Sequence, residues 1–556
     1  MGNAPEFNLA EVHEAVEAAA PDRPCVVFRE RNITYSMFGD RSRRLAAALG
    51  AAAMGAHRER SELAGWESGQ DHLALYMLNG NEYLESMVGA YQARVAPFNV
   101  NYRYVSAELE YLLADSGATG IVYHSAFAPT LDEVRSRLPE LRLFLQVADD
   151  SANPLLDGAQ WYEDALTAAE PAPLGANDRS PDDLYILYTG GTTGMPKGVL
   201  WRQADIFVAA MGGRQLGTNE EWPDIDAIAT AAGAGGAKFM ALAPFMHGAA
   251  HWMAFNAFTG GNTVIIPDIV DRFDPVATLR QVEEFGVNVL LVVGDAFGRP
   301  LVEAIEAGDW DLSSLLVLAS GGAALSAGIK ERLLAAVPTM MIVDGLGASE
   351  TGSQAAQVSS AGQAATTGSF NPGPGMCVVD EDMAHVLEAG HEAIGWLAQA
   401  GRVPIGYLGD EAKTRRTFPV IDGVRYAVPG DRARLAADGS LELLGRDSVT
   451  INSGGEKIFA EEVEAALASH PAVFDVVVCG RPSERWGHEV VAVVQLAAGA
   501  GVTDDELVEH AALSVARYKL PKAIVRVDHV QRSPSGKADY RWAKEQAAGT
   551  PAPGGS

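Results

Sequence analysis

The chain has 556 residues, a length that predicts about two to four folding units with a substantial core. Its 42 Lys and Arg residues against 72 Asp and Glu residues leave a formal net charge of −30. This balance argues against a cationic footprint for nucleic acid and against docking on an anionic membrane. Hydrophobic residues make up 48% of the chain and charged residues 21%, an ordinary globular composition, so disorder is not expected.

The cysteines and the apolar runs indicate a compartment. Cys25, Cys377 and Cys479 are far apart and form no CxxC pair, which predicts neither a disulfide framework nor a zinc ribbon. The N-terminus lacks the basic and apolar regions of an export signal, and apolar runs such as 289–293 are shorter than the ~20 residues that cross a bilayer. We therefore expect a cytoplasmic protein without a transmembrane segment, and a homo-oligomer stays possible.

Short apolar, β-rich runs alternate with Ala-rich helical stretches over the middle of the chain. The predicted strands are 184–188, 263–266, 287–293, 315–318 and 340–343. Continuous apolar strands between helices predict parallel sheets covered on both faces. After Gly395, turn signals at Asp422-Gly423 and Asp438-Gly439 predict a small antiparallel region.

From about Arg446 the pattern predicts a compact α+β unit, with a helix from about Ala460 to Ser469 and a strand over Val473 to Val478. The fold class is therefore α/β. We expect a large N-terminal domain, residues 1–445, of mixed but mainly parallel sheets with flanking helices and a small β-region. A small, mobile α+β C-terminal domain, residues 446–547, and a disordered tail, residues 548–556, should follow.

The loop that follows the strand at 184–188 carries the strongest chemical signal. Residues 188–198 read YTGGTTGMPKG: the glycines free the backbone to curl, two threonines offer hydroxyls and Lys197 supplies charge. This composition predicts a polyphosphate cradle. It is not a Walker A loop, because Pro196 precedes Lys197 and Gly198 follows it, and it is not a GxGxxG dinucleotide motif.

This string resembles the phosphate-binding signature of adenylate-forming enzymes, the superfamily of acyl-CoA synthetases, luciferases and peptide-synthetase adenylation domains. Further motifs of that superfamily occur in the expected order. They are SGGAAL at 320–325, GLGASETG at 345–352, YAVPGD at 426–431, LGRD at 444–447, GGEKI at 454–458 and SPSGK at 533–537. The resemblance covers about residues 35–542 and is strongest to actinobacterial acyl-CoA synthetases of the fatty-acid and steroid side-chain type.

The resemblance implies a role for each motif. It implies ATP contacts at Thr189, Gly190, Gly191, Thr192, Thr193, Gly194, Lys197, Gly321, Gly322, Ala323, Gly345, Leu346, Ser349, Asp431 and Arg446. Glu350 would hold Mg²⁺, and Lys537 would contact the carboxylate and the α-phosphate. His247 would lie beside the acyl carboxylate, with a purely structural histidine about equally plausible. CoA would bind near Gly454, Gly455 and Glu456, and Asp447 would be the hinge between the domains.

Small residues in regions that line the acyl pocket of relatives predict a roomy site. These residues are Gly213, Gly236 and Gly294, with Trp252 as part of the wall. We therefore expect a long-chain or bulky acid. Two positions depart from the superfamily pattern: Leu346 replaces an aromatic residue that stacks on adenine, and Ala460 replaces a proline at a helix start.

Taken together, the motifs predict an ATP-dependent acyl-CoA synthetase that works through an acyl-adenylate, with ATP, Mg²⁺ and CoA. One alternative is an acyl-AMP ligase that loads a carrier protein in place of CoA. Another is a non-catalytic ATP-binding relative, although such a protein would not need Lys537.

Overall fold

The computed structural model describes residues 5–173, 175, 179–189, 195–363, 365–453, 456–483, 487–532 and 536–549. The strands are β1 Pro24–Phe28, β2 Arg31–Thr34, β3 His72–Tyr76, β4 Ala96–Asn99, β5 Ala118–His124, β6 Leu143–Val147, β7 Gln160–Trp161, β8 Leu184–Thr189, β9 Lys197–Arg202, β10 Lys238–Ala241, β11 Thr263–Ile266, β12 Val289–Val292, β13 Val317–Gly321, β14 Met341–Ala348, β15 Gly352–Ser359, β16 Ser369–Pro372, β17 Met376–Val379, β18 Val386–Leu387, β19 Gly395–Ala400, β20 Gly406–Tyr407, β21 Val420–Ile421, β22 Val424–Ala427, β23 Asp431–Leu435, β24 Leu441–Arg446, β25 Ile451–Ser453, β26 Glu456–Ile458, β27 Val473–Ser483, β28 Gly487–Leu496 and β29 Ala523–Arg526. The helices are α1 Leu9–Ala19, α2 Tyr35–Ala51, α3 Asn81–Gln92, α4 Ser106–Asp115, α5 Ala128–Arg135, α6 Tyr162–Ala168, α7 Gln203–Ala210, α8 Ile225–Gly233, α9 Gly248–Thr259, α10 Pro275–Phe285, α11 Gly294–Ala307, α12 Ala327–Ala336, α13 Glu411–Thr417, α14 Ala460–Ala468, α15 Asp504–Ala511 and α16 Tyr540–Ala548.

Two large mixed sheets build the N-terminal domain. The first runs β2-β1-β11-β10-β12-β13-β14-β15-β16-β24-β23-β19-β17-β18 and is parallel from β1 to β14. The second runs β20-β9-β8-β4-β3-β5-β6-β7 and is parallel from β8 to β7. The predicted α/β class is confirmed. The antiparallel region is larger than predicted, because it begins with the β14–β15 pair and not after Gly395.

Local sequence explains where these elements start and stop. Helix α10 begins where Asp274 accepts a hydrogen bond from Ala277 N, with Pro275 in the first turn, and it ends at Gly286 with φ +62°. The predicted hairpin turn at Asp422-Gly423 has φ +50° and +79°, the left-handed pair that a two-residue type I′ turn needs. It joins β21 to β22 as predicted.

The parallel order positions the functional loops. Consecutive parallel strands all point the same way, so the segments that leave β10, β12 and β13 and the carboxyl end of β14 gather at one edge of the first sheet. Ligands in open α/β sheets bind outside the carboxyl ends of the strands. The motifs at 320–325 and 345–352 and the loop that carries His247 all lie at this edge.

The C-terminal region is an α+β unit with a sheet in the order β26-β25-β28-β27, to which β29 adds beside β28. Helix α14 begins at Ala460 as predicted, and β27 extends to Ser483, beyond the predicted strand. Helix α16 ends at Ala548, so the predicted tail begins inside its last turn. The rest of that tail, from residue 550, lies outside the described residues.

The three cysteines are unpaired, with Cys25 and Cys479 buried and Cys377 partly buried. None of the helices in the described part of the chain has the length and apolar character needed to span a bilayer.

Candidate active site

The predicted phosphate loop connects two antiparallel strands. Strand β8 ends at Thr189 and β9 begins at Lys197, and these two residues are partners across the ladder. Gly190, Gly191, Thr192, Thr193 and Gly194 lie outside the described residues. A Walker A loop would instead lead into a helix, so the antiparallel return agrees with the exclusion of that motif.

Lys197 is held by a carboxylate at the foot of this loop. Its Nζ lies 3.0 Å from Asp115 Oδ1, and Tyr188 Oη donates to Asp115 Oδ2 at 3.0 Å. Tyr111 Oη lies 3.2 Å from Asp115 Oδ1 and 3.3 Å from the carbonyl oxygen of Pro196, two acceptors that share its one hydrogen. Burial lowers the pKa of Lys197, but the bond to Asp115 and its charge outweigh that effect and raise the pKa. Lys197 is therefore positively charged at neutral pH beside the loop. Its partner Asp115 was not identified by sequence analysis.

The two motifs assigned to adenine are adjacent in space. Gly321 at the end of β13 is the register partner of Gly345 in β14, and Gly322 follows with φ +84°. Leu346 is half-buried and packs on the apolar cluster that contains Phe370. An aliphatic wall therefore lies at the position where the superfamily resemblance implies an aromatic ring. The carbonyl of Ser349 accepts a hydrogen bond from Trp201 Nε1 at 2.9 Å. Ala323, on the neighbouring turn, lies close to Gly294.

Asp431 and Arg446 form an ion pair at the ends of neighbouring strands. They are register partners of β23 and β24, and Arg446 Nε donates to Asp431 Oδ1 at 3.2 Å. The charge of Asp431 is the main cause of the raised pKa of Arg446. The second carboxylate oxygen of Asp431 can accept further hydrogen bonds, such as those of a diol.

Glu350 is oriented by a tyrosine. Tyr407 Oη donates to Glu350 Oε1 at 2.8 Å, and Tyr407 itself is 2% exposed. Lys413 Nζ lies 4.0 Å from the centre of the Tyr407 ring. Burial, followed by the charge of Glu350, raises the pKa of Tyr407, so the phenol stays a donor at neutral pH.

Lys537 brings the C-terminal domain to this cluster. Its side chain is exposed to solvent, and the surrounding protein is close enough to desolvate the ammonium group in part. That partial burial lowers the pKa of Lys537; the Arg446 charge acts in the same direction, whereas Glu350 and Asp431 oppose it. Arg446, Glu350 and Asp431 are therefore all within electrostatic range of Lys537. In the sequence these four residues belong to separate motifs.

His247 lies at the entrance to α9, within electrostatic range of Lys537. Its Nε2 is buried without a hydrogen-bond partner. Burial, and secondarily the charge of Lys537, lower the pKa of His247 to about 3, so the imidazole is neutral at pH 7. Two buried asparagines hold its loop: Asn79 bonds to Ala243 O and Phe245 N, and Asn99 bonds to Met246 O.

Asn99 also ties the acyl-side loop to the phosphate loop. Its amide donates to Tyr188 O at 2.9 Å and accepts from Tyr188 N at 2.8 Å, in addition to its bond with Met246 O at 2.7 Å. The same side chain therefore fixes the entry to residues 189–197 and the residue before His247. Sequence analysis assigned no role to Asn99.

A buried polar chain orients Trp252. Trp252 Nε1 donates to Tyr185 Oη at 3.0 Å, and Tyr185 in turn donates to His251 Nε2 at 2.5 Å. His251 Nδ1 donates to Phe245 O at 2.7 Å, which fixes the tautomer. Burial lowers the pKa of His251 to about 4. Sequence analysis identified Trp252 as part of the acyl-pocket wall but did not identify its partners Tyr185 and His251.

The glycines predicted to open the acyl pocket do not form one wall. A Cβ at Gly213 would lie 2.6 Å from Val208 Cα, so this glycine permits backbone packing on α7. Gly294 permits a close approach to the turn at Ala323 and Ala324, where a Cβ would lie 2.5 Å from Ala324 O. Gly236 is exposed before β10 begins, at the opposite end of that strand from the loop of His247. These contacts explain why glycine stands at 213 and 294, and that the three residues make room for the acid stays a prediction.

Asp447, assigned as the hinge, directly follows β24, and the residues assigned to CoA come shortly after it in the chain. Gly454 and Gly455 are outside the described residues, and Glu456 is exposed at the start of β26. Asp447 N donates to Gly430 O at 3.1 Å, and its carboxylate accepts from Arg432 Nε at 3.0 Å. In this arrangement both the backbone and the side chain of Asp447 are hydrogen-bonded to the N-terminal domain.

The donor set near Glu350 fits Mg²⁺ bound through a substrate. No cluster of three or more acidic, histidine or cysteine ligands occurs in the described ranges. Mg²⁺ commonly uses one or two carboxylates together with phosphate oxygens and water. A single carboxylate, oriented by Tyr407, is compatible with that mode.

Comparisons with known proteins agree with this geometry. The family model "AMP-binding enzyme" matches residues 13–403, and the model "AMP-binding enzyme C-terminal domain" matches residues 462–537. The medium-chain acyl-CoA ligase Mig of Mycobacterium avium is 58% identical over 544 residues, which cover 97% of this chain and 98% of that protein. A medium/long-chain-fatty-acid and 3-oxocholest-4-en-26-oate CoA ligase of Mycobacterium tuberculosis is 40% identical over 553 residues, 98% of this chain and 97% of that protein.

Solved structures support the fold. An anthranilate CoA ligase in complex with anthranoyl-AMP superposes with a TM-score of 0.81 at 21% identity, with 98% of each chain covered. The predictions of fold, superfamily and an acid–thiol ligase are confirmed by these relationships. The chain belongs to the AMP-binding enzyme family, matched by the family's two models across most of its length.

Proposed function

We propose that this chain is an AMP-forming acyl-CoA ligase that converts a carboxylic acid, ATP and CoA into acyl-CoA, AMP and diphosphate. The observation that carries the proposal is that Lys537 of the C-terminal domain lies within electrostatic range of Glu350 and of the hydrogen-bonded Asp431–Arg446 pair of the N-terminal domain. A protein that only bound ATP would have no use for a cation carried there by a second domain.

In the first half-reaction a carboxylate oxygen attacks the α-phosphorus of ATP, and the bond from that phosphorus to the diphosphate oxygen breaks. The protein contributes little covalent chemistry, so positioning and charge stabilisation dominate. Lys537 would bind the acid carboxylate and an α-phosphate oxygen together. Thr189, Lys197 and the residues between them would hold the outer phosphates, and Asp431 would accept hydrogen bonds from the ribose hydroxyls.

Glu350 would hold Mg²⁺ through its carboxylate, with Tyr407 fixing the orientation. The bound ion would offset negative charge on the phosphates. His247 would contribute a neutral polar edge beside the acid, because its low pKa keeps a second full charge away from Lys537. The adenine ring would lie between the turn at 321–323 and the segment that contains Gly345, Leu346 and Ser349.

In the second half-reaction the CoA sulfur attacks the acyl carbonyl, the bond to AMP breaks and AMP leaves. Gly454, Gly455 and Glu456 would approach the pantetheine arm. We propose that residues 446–547 turn about Asp447 between the two steps, because Lys537 and residues 454–456 belong to the same small domain. The anchors of Asp447 to Gly430 and Arg432 would have to break during this turn.

For the acid, we propose medium- to long-chain fatty acids, with a bulky steroid side-chain acid as the second candidate. The relative at 58% identity is named for medium-chain acids, and those at about 40% for medium- and long-chain acids and a steroid acid. We also propose a cytoplasmic location, which the unpaired cysteines support.

The test is a panel of saturated acids of increasing length together with 3-oxocholest-4-en-26-oate, each assayed with ATP, Mg²⁺ and CoA. We expect acid-dependent diphosphate–ATP exchange, with AMP and a CoA thioester as products. A steep optimum at medium length would favour the first candidate. Acyl-AMP that accumulates without thioester would instead indicate a ligase that serves a carrier protein.

A further inference from the structure

The C-terminal domain carries an aromatic residue that its own fold does not use. In the β27–β28 ladder Val473 pairs with Leu496 and Asp475 pairs with Gln495, so Phe474 is the extra residue of a β-bulge. A bulge turns a side chain away from the regular alternation of a strand. Within the described residues, Phe474 is half-buried but belongs to neither apolar cluster of this domain.

Phe474 instead contacts the N-terminal domain. The guanidinium carbon of Arg299, on the second turn of α11, lies 5.2 Å from the centre of the Phe474 ring. That distance is within the range of a cation–π interaction. The contact crosses the domain boundary, so it exists only when the C-terminal domain occupies this orientation.

The residue next to Phe474 connects this contact to the catalytic lysine. Asp475 accepts two hydrogen bonds from Arg532, Nε to Oδ2 at 2.7 Å and Nη2 to Oδ1 at 2.6 Å. The remaining nitrogen of Arg532, Nη1, donates to Gly536 O at 3.1 Å. Lys537 follows Gly536 directly, so Arg532 fixes the backbone from which Lys537 extends.

The backbone at Gly536 also rests on α11. Gly536 has φ +75°, and a Cβ there would lie 3.2 Å from Val293 Cγ1, 3.3 Å from Val293 O and 3.6 Å from Ala296 Cβ. Val293 immediately precedes the helix that carries Arg299. The beginning of α11 is therefore the surface that both Gly536 and Phe474 contact.

We propose that Arg299 and Phe474 form a docking latch, a contact that holds the C-terminal domain in the orientation of the first half-reaction. Asp475 and Arg532 couple this contact to the position of Lys537. The proposal rests on the function proposed above. Arg299 and Phe474 act as positioning residues: they touch no substrate, and they favour the orientation in which Lys537 reaches the active site. Because the latch is absent in the rotated orientation, its loss changes the balance between the two orientations.

The latch predicts opposite effects on the two half-reactions. A half-exposed cation–π contact shifts such a balance by about two- to fivefold. Arg299→Met keeps the apolar stem and removes the charge, and Phe474→Leu removes the ring. Each should lower acid-dependent diphosphate–ATP exchange two- to fivefold while thioester formation from supplied acyl-AMP and CoA stays equal or rises. The double variant should be no worse than either single variant, since both remove the same contact.

The matched control is Arg415→Met, because Arg415 lies over Trp66 at 5.4 Å wholly within the N-terminal domain. It should change neither half-reaction. Equal losses in both half-reactions for Arg299→Met or Phe474→Leu would mean a merely structural role and would overturn the latch. Unchanged exchange in both variants would overturn it as well.

A readout independent of catalysis separates the latch from the proposed function. Arg299→Cys and Phe474→Cys are combined in one chain and treated with a short bifunctional thiol reagent, with each single variant as control. We expect an internal cross-link in the double variant that preserves diphosphate–ATP exchange and blocks thioester formation. No cross-link beyond the controls would overturn the latch, whereas a cross-linked protein and a wild type that both lack exchange would overturn the proposed function alone.

Discussion

Tyr407→Phe is the most direct perturbation of the inferred metal carboxylate. The change removes one hydrogen bond, from Tyr407 Oη to Glu350 Oε1 at 2.8 Å, and keeps the ring on which Lys413 rests. A hydrogen bond to a charged group contributes about 1.5–3 kcal/mol, which corresponds to roughly a ten- to 150-fold effect. Glu350 stays attached to the β14–β15 turn, so we expect a loss near the lower end, about tenfold.

The assay is acid-dependent diphosphate–ATP exchange at a series of Mg²⁺ concentrations. We expect Tyr407→Phe to require more Mg²⁺ for half-maximal exchange and to recover most of its rate at saturating Mg²⁺. Tyr111→Phe, which removes a tyrosine hydroxyl from Asp115, is the matched control and should leave the Mg²⁺ dependence unchanged. A rate loss in Tyr407→Phe that is the same at every Mg²⁺ concentration would refute the link between Tyr407, Glu350 and the ion.

Three further changes test other parts of the molecule. Lys537→Ala should slow acyl-AMP formation about 10²–10³-fold and leave thioester formation from supplied acyl-AMP near wild type; equal losses in separate half-reaction assays would contradict its role. His13, buried with both ring nitrogens unpartnered, has a folded pKa of about 3, so only the unfolded chain binds a proton between that value and 6.5. The contribution of neutral His13 to the free energy of unfolding is complete above pH 6.5, and it falls by up to about 2 kcal/mol at pH 5. Denaturant titrations at pH 7.5 and pH 5 should show a smaller drop for His13→Leu, and an identical drop would contradict the reasoning. Gly213→Val should lower the melting temperature through overpacking against Val208 and reduce turnover of short and long acids alike, whereas a loss confined to long acids would show that Gly213 faces the acyl chain.

The sequence was sufficient for the fold class because its signals are local. Apolar runs of four to six residues between helices specify parallel strands, and Asp422-Gly423 specifies a type I′ turn through its positive φ angles. Among the described residues, two pairs of motifs lie side by side, with Gly321 paired to Gly345 and Asp431 paired to Arg446 on neighbouring strands.

The acyl side could not be predicted from residue type. A glycine can open a pocket or permit two backbones to approach, and only the neighbouring atoms distinguish these outcomes; Gly213 and Gly294 are of the second kind. The buried chain from Trp252 through Tyr185 to His251 joins residues 66 and 67 positions apart, with no local pattern to reveal it.

The contacts that dock the C-terminal domain could not be predicted from the sequence either. Phe474 falls within a run that reads as an ordinary buried strand, and the bulge that redirects it depends on the pairing register with β28. Asp115, the partner of Lys197, is separated from it by 82 positions and lies at the end of a helix that the sequence linked to no function.

In the proposed reaction the acid displaces diphosphate from ATP to form an acyl-adenylate. The most direct measurement supplies a carboxylic acid labelled with heavy oxygen, together with ATP, Mg²⁺ and CoA, and follows the label by mass spectrometry. We expect one labelled oxygen in AMP, because the carboxylate oxygen that attacks the α-phosphorus stays bonded to phosphorus when CoA displaces AMP. Label in inorganic phosphate with ADP as the nucleotide product, or unlabelled AMP, would contradict the proposed reaction.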